Sequence, residues 1–348
     1  MFKALGRGLA AFESGPAQLK RLVDETGLIV NDHHAEHLFI NTNLQALITN
    51  FGHQGIGGFE AVYNREFESK QTTPWGFRSY CLMEGVFEFI VPSDHSDPHY
   101  CEAQLEQVQA EWDADGRTPF LSAAFAKLAA NTAHAWRGSG WAKDVTPEGW
   151  GKFHMFTELA RDVMKQSDPG RGKCPFWHRA NHSTALTQDI SSRERKHRYV
   201  AAFEHDVCDP EPHLTMAYQM LPRWHGSYEA FEAQARRAAD LTSHERGLEM
   251  YARCYDYITD MENLDQTLVD VPDMMAGYIE WVERWPTQCN FNKLARFAYE
   301  IDDIKILKWV LETQLREIHL VVWDDEAMVA SAFRKSGAKL QSRQSRMH

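Results

Sequence analysis

The stretch from His134 to Asp168, HAWRGSGWAKDVTPEGWGKFHMFTELARDVMKQSD, carries the punctuation of a helix corner. A helix end runs into Gly138 and Gly140, and Thr146-Pro147-Glu148 opens a second helix. Threonine at the N-cap accepts a bond from an orphan backbone N–H. Proline at the first helical position forfeits no bond, and glutamate suits the positive end of the dipole. The same opening, Thr118-Pro119, precedes FLSAAFAKLAANTAHAW, whose alanines leave a thin face for a neighbour's backbone. The second helix instead carries a broad apolar stripe through Trp150, Phe153, Phe156, Leu159, Ala160, Val163 and Met164. One small-faced and one large-faced helix make a hairpin that cannot bury itself alone.

The same grammar runs along the chain. Capped or proline-opened segments separated by short Pro/Gly connections amount to roughly fifteen helices, with no strand alternation. Thr73-Pro74 reads as the start of a helix through WGFRSYCLMEGVFEFI, Thr242-Ser243-His244-Glu245 as a capping box, and Asn290 as a cap. FGHQGIGGFEAVY is glycine-rich, but Phe59-Glu60 follows the last glycine where a phosphate loop needs Lys and Ser or Thr, so it reads as a connection. HLVVW (319–323) is the one extended-looking run. The expected fold is all-α: degenerate helical-hairpin repeats of about 30–40 residues, a tetratricopeptide-like α-solenoid without a substantial sheet. Residues 1–100 are expected to form an N-terminal helical region, with a repeat domain over 101–335 packed continuously on it. A mobile basic tail is expected over 336–348.

Charge narrows the partners. The 49 acidic and 37 basic residues leave a formal charge of -12, which argues against nucleic acid and anionic membrane and favours a basic protein partner. The six cysteines are scattered without a C-x-x-C pair, as expected of reduced thiols in a cytosol. The N-terminal stretch has no apolar core of signal-peptide length, and no run approaches the roughly 18 apolar residues of a membrane span. A cytoplasmic location is expected.

Three segments, AWRGSGWAKDVTPEGWGKF, LPRWHGSYEAFEAQA and CNFNKLARFAYEIDDIKILKWVLE, occur in that order. Together they make the chain from about 100 to 325 resemble an uncharacterised bacterial family of tetratricopeptide-like proteins. The resemblance implies an α-helical repeat fold in a bacterial cytosol and no established activity. The histidine richness of this chain departs from that pattern.

Seventeen histidines invite a metal reading. His33 and His37 are four apart, but His34 stands where a zincin helix carries its glutamate. Cys174, His178 and His182 follow an i, i+4, i+8 spacing. Residues eight apart on one helix lie about 12 Å from each other, too far to share one metal. His154 and Glu158 have the spacing of a base and its orienter, without a nucleophile elbow nearby. No catalytic, cofactor-binding or metal-binding residue is therefore assigned. Trp136–Arg137 and Arg223–Trp224 each precede a glycine turn, and Trp136, Trp141 and Trp150 are expected to lock successive hairpins. The acidic clusters Asp206/Asp209/Glu211, Glu300/Asp302/Asp303 and Asp324/Asp325/Glu326 suit helix capping. They also suit an acidic lip for a partner, built from Asp206, Asp209, Glu211, Asp302, Asp303, Asp324, Asp325 and Glu326. The functional expectation is a non-enzymatic protein-binding helical-repeat protein, in its sharpest form an immunity protein neutralising a cationic interbacterial toxin. The alternatives are a metal-dependent hydrolase using clustered histidines and a regulatory peptide-binding scaffold.

Overall fold

Side-chain caps start most helices where the hydroxyls and carboxylates stand. Thr118 Oγ1 accepts from the Leu121 N–H, Thr146 Oγ1 from Gly149, Ser227 Oγ from Ala230, Asp303 from Ile306 and Asp325 from Met328. The computed structural model describes residues 15–26, 28–31, 46, 58–90, 97–114, 117–138, 142–167, 174–224, 226–323 and 325–338. Helix α1 is Gly15–Thr26, α2 covers 58–69, α3 is Tyr80–Ile90, α4 Pro98–Ala114, α5 Pro119–Arg137, α6 Pro147–Gln166 and α7 Pro175–Ser183. Then come α8 (Ser192–Phe203), α9 (Pro210–Gln219), α10 (Tyr228–Leu241) and α11 (Leu248–Asp256). The last four are α12 (Val271–Arg284), α13 (Gln288–Glu300), α14 (Ile304–Trp309) and α15 (Glu326–Ser336). Among the described residues the fold is all-α except for one two-stranded parallel sheet and an isolated bridge. No helix among them is long and apolar enough to cross a membrane.

The chain divides into two compact units, residues 42–270 and residues 1–41 with 271–348. The boundary expected at residue 100 is not the one observed. Helix α4, which begins at Pro98, packs on α5 within the first unit. In the second unit α1 packs on α15, and β1 (Ile29–Asn31) pairs with β2 (Glu317–His319), Val30 opposite Ile318. The extended run at 319–323 thus contributes one strand residue before turning into a 3-10 helix at Leu320. Of the expected basic tail, residues 339–348 lie outside the described residues.

In unit 42–270 the alanine-rich α5 is buried almost all round, from Phe120 through Ala133, and packs against α3, α4, α6 and α7. Its hairpin with α6 depends on Gly149, where an added Cβ would lie 2.8 Å from the Trp136 carbonyl oxygen. Consecutive helices from α4 to α6 and from α7 to α11 pack pairwise. The odd-numbered helices α3, α5, α7, α9 and α11 also pack one on the next. Trp136 and Trp150 are half-buried at the corner, and Trp141 lies outside the described residues. Arg137 stands over the Trp150 ring at 6.0 Å, while Lys152 covers Trp136 at 5.2 Å.

Three helix starts differ from expectation. Residues 73–79 form a turn and not a helix: Thr73 accepts the Phe77 N–H on Oγ1, Gly76 sits at φ 85, and Thr72 bridges Arg78. Thr242 closes α10 by donating its hydroxyl to Ala238 O (2.8 Å), so the cap of α11 passes to Gly247. Thr287, and not Asn290, caps α13.

Buried arginines tie these pieces together. Arg78 forks onto Asp206 with Nε and Nη2 at 2.8 and 2.9 Å. Arg179, 2% exposed, takes Glu84 on α3 through Nε (2.6 Å) and pairs with Asp209 and Glu211 on the α9 side. Tyr63 on α2 donates to the same Glu84 at 2.8 Å. Arg246 and Arg253 share Glu249 at 2.7 Å each and donate to the carbonyls of Gly76 and Trp75. Burial works against the Arg179 charge, but Glu84, Cys81, Glu211 and Tyr80 outweigh it and hold its pKa well above the ordinary value. Arg179→Met strands two buried carboxylates, and a loss of about 3–5 kcal/mol is expected in chemical unfolding. Adding Glu84→Gln to Arg179→Met is expected to recover part of that loss. An unfolding midpoint unmoved by Arg179→Met would remove the network from any structural role.

Candidate functional site

The acids expected to form a lip fall in both compact units, and most are engaged within their own unit. Asp206 and Asp209 are buried, the first holding Arg78 and the second capping α9 and pairing with Arg179. Their charge is spent inside the protein, because distant arginines fold onto them. Glu211 is partly exposed and engaged by Arg179 and Thr215. The other acids belong to the second unit. Exposed Asp302 pairs with Lys335 at 2.6 Å, Asp303 caps α14, and Asp325 caps α15 with Glu326 in its first turn. Asp324 lies outside the described residues.

The histidine candidates separate as well. His33 and His37 lie outside the described residues. Cys174 is the residue before α7, its thiol pushed up to about 12 by burial. His182, fully buried, places Nε2 3.1 Å from Pro212 O. Among the described residues no group of three or more His, Cys, Asp or Glu is placed to hold a metal ion. His154 stacks on Trp150 at the surface, and Glu158 is taken by Arg161.

A different set of side chains converges. A cavity of about 450 Å³ opens between α8, α9 and α10. Ser191 caps α8 by accepting the Glu194 N–H at 3.1 Å. Ser192, Arg195, Lys196 and Tyr199 then fall on one helical face, at i, i+3, i+4 and i+7. Helix α10 adds Gln234 and Arg237. Met216 on α9, Met220 just after it and Ile190 before α8 supply the apolar wall. Among the described residues, three cations and no carboxylate line the cleft, in a chain whose formal charge is -12.

Arg195 is the centre of this arrangement. It is 4% exposed, and its Nη1 donates to Ala185 O and to Gln219 Oε1, both at 2.9 Å. Its Nε and Nη2 take no partner, and no carboxylate pairs with it, among the described residues. Burial, with help from Arg198, pushes its pKa down, opposite to the shift of the carboxylate-paired Arg78 and Arg179. An arginine stays protonated regardless, so this is a buried positive charge lacking its counter-charge. Lys196 and Arg237 are exposed.

Behind Arg195 a relay fixes the floor. His213 Nε2 faces Val207 O at 2.7 Å and so carries the proton, leaving Nδ1 to accept the Tyr199 hydroxyl at 2.7 Å. The Tyr199 oxygen in turn accepts from Gln234 Nε2 at 2.8 Å. Burial raises the Tyr199 phenol well above its ordinary value and lowers His213 to about 4, so both are neutral near pH 7.

Nothing in a linear reading singled out this cleft. SRERKHRY reads as a solvated charged helix face, and its partner Arg237 stands some forty residues further on. The one available signal was a cationic helical face in an acidic chain.

The two buried histidines set a pH dependence. Burial lowers His182 to about 3 and His213 to about 4 from 6.5. The unfolded chain therefore takes up protons first as pH falls through 6.5. Stability from these neutral rings is complete above that pH and drains toward pH 4 and 3, by at most about 1.4 kcal/mol per pH unit per ring. Urea midpoints measured from pH 7.5 to 4.5 are expected to fall, and His213→Gln to flatten the curve. A midpoint that rises on acidification contradicts these assignments. No family model, curated protein or solved structure matches the chain.

Proposed function

We propose that residues 42–270 form a non-enzymatic helical binding module that takes an oxyanion-bearing small molecule in the cleft between α8, α9 and α10. The carrying observation is Arg195: buried, lining the cavity, anchored by Nη1 to Ala185 O and Gln219, and among the described residues with no partner on Nε or Nη2 and no carboxylate pairing with it. A guanidinium held this way offers the two-pronged edge that matches a carboxylate or a phosphate. Lys196 and Arg237 add charge at the mouth, and the N-terminus of α8 adds its positive dipole end. The cavity of about 450 Å³ falls within the roughly 300–1,000 Å³ of small-molecule sites. Binding is favoured over proton-transfer chemistry because Tyr199 and His213 are held in neutral states far from pH 7.

The pairwise and odd-to-odd packing of α3 to α11 supports a tetratricopeptide-like reading of this unit, in keeping with the family resemblance. The alternative of a basic protein partner, a cationic toxin in its sharpest form, keeps net charge as its support. The exposed carboxylates Asp302 and Asp325 already pair with a lysine and cap a helix.

A ligand that binds the folded state alone raises the melting temperature with its concentration. Inorganic phosphate, titrated at fixed ionic strength, is expected to raise the melting temperature of the full chain. The rise should be lost in Arg195→Gln and reduced in Arg237→Gln, which removes an exposed side chain without a carboxylate partner among the described residues. Equal rises in all three proteins would place phosphate elsewhere and refute the cleft.

A further inference from the structure

We infer that the ligand of the α8–α9–α10 cleft is a phosphomonoester carried on an apolar body; this rests on the reading of the cleft as an anion site. Charge is the first argument. Arg195, Lys196 and Arg237 bring three positive charges to a cavity where, among the described residues, no carboxylate lines the wall or pairs with Arg195. A carboxylate or sulfonate supplies a single negative charge, whereas a phosphomonoester supplies about two at pH 8. The dianion compensates more of the field, and most of all at the buried guanidinium, where low polarizability strengthens each interaction.

Oxygen count is the second argument. The open Nε–Nη2 edge of Arg195 engages two oxygens side-on, and a planar carboxylate is then exhausted. A phosphomonoester has a third non-bridging oxygen, and the cleft has two further cations from two different helices, Lys196 on α8 and Arg237 on α10. The wall points the same way. Ile190, Met216 and Met220 face the same cavity, and Met216 packs in a core cluster with Tyr199 and Phe203. Bare phosphate has no surface to set against them. Methionines adapt to irregular apolar shapes, which suits an organic body joined to the phosphate through its ester oxygen.

The test is isothermal titration calorimetry of the full chain at pH 8 with phenyl phosphate, benzenesulfonate and inorganic phosphate. Phenyl phosphate carries both the dianion and an apolar ring; each of the others lacks one of the two. It is expected to bind about tenfold or more tightly than either, the worth of one charge-assisted hydrogen bond or of a buried ring face. Arg195→Gln is expected to abolish binding. Because that change also strips Ala185 O and Gln219 of a donor, Lys196→Gln/Arg237→Gln serves as the second variant. It is expected to keep the wild-type melting temperature and to erase the preference for phenyl phosphate over benzenesulfonate. Benzenesulfonate binding as tightly as phenyl phosphate overturns the dianion while leaving an anion site. Inorganic phosphate binding as tightly overturns the apolar body. A preference surviving Lys196→Gln/Arg237→Gln overturns the assignment of the second charge to Lys196 and Arg237. If none of the three anions binds, the anion site itself fails.

Discussion

Burying Arg179 between Glu84 on α3 and Asp209 on α9 is the constraint on which unit 42–270 depends. An ion taken from water costs several kcal/mol, recovered only when its partners are also fixed by other bonds. Here they are: Tyr63 donates to Glu84, the Glu211 N–H donates to Asp209, and Asp206 holds Arg78 a few residues away. The arrangement extends to Arg246 and Arg253, whose forks close the carbonyls of Gly76 and Trp75. The turn before α3 is therefore held by side chains that arrive more than 160 residues later in the chain. That is why it is a turn, although its Thr-Pro opening is helix grammar.

The cleft uses the same residue type with the opposite bookkeeping. Arg78 and Arg179 have their carboxylates in place and their charges settled within the fold. Arg195 is anchored by Nη1, yet it lines a cavity and among the described residues pairs with no acid. Buried arginines so alike in burial and so different in partners have different tasks. One kind joins helices; the other waits for a charge from outside.

What could be read from the sequence was local. Thr118, Thr146, Ser227, Asp303 and Asp325 start helices because a cap and the next turn lie within three residues of each other. The burial of Asp206 and Asp209 was not legible, for the complementary reason. Asp209 does cap α9, but its burial depends on Arg179, thirty residues earlier, and Asp206 depends on Arg78 at a separation of 128. Thr242 had two uses open to it and took the backward bond to Ala238. The cleft is assembled from three helices, so no window of sequence contains it. The two of its three cations that lie on α8 are masked by neighbours such as Glu194 and Arg198, which pair with each other.

The most direct test of this division among buried arginines is a crystal structure of the full chain grown with phenyl phosphate. The account predicts phosphate oxygens within hydrogen-bond distance of Arg195 Nε and Nη2, with Nη1 still on Ala185 O and Gln219 and the ring against Met216 and Met220. Arg195 turned onto a carboxylate of its own chain, or phenyl phosphate bound only outside the cleft, would contradict it.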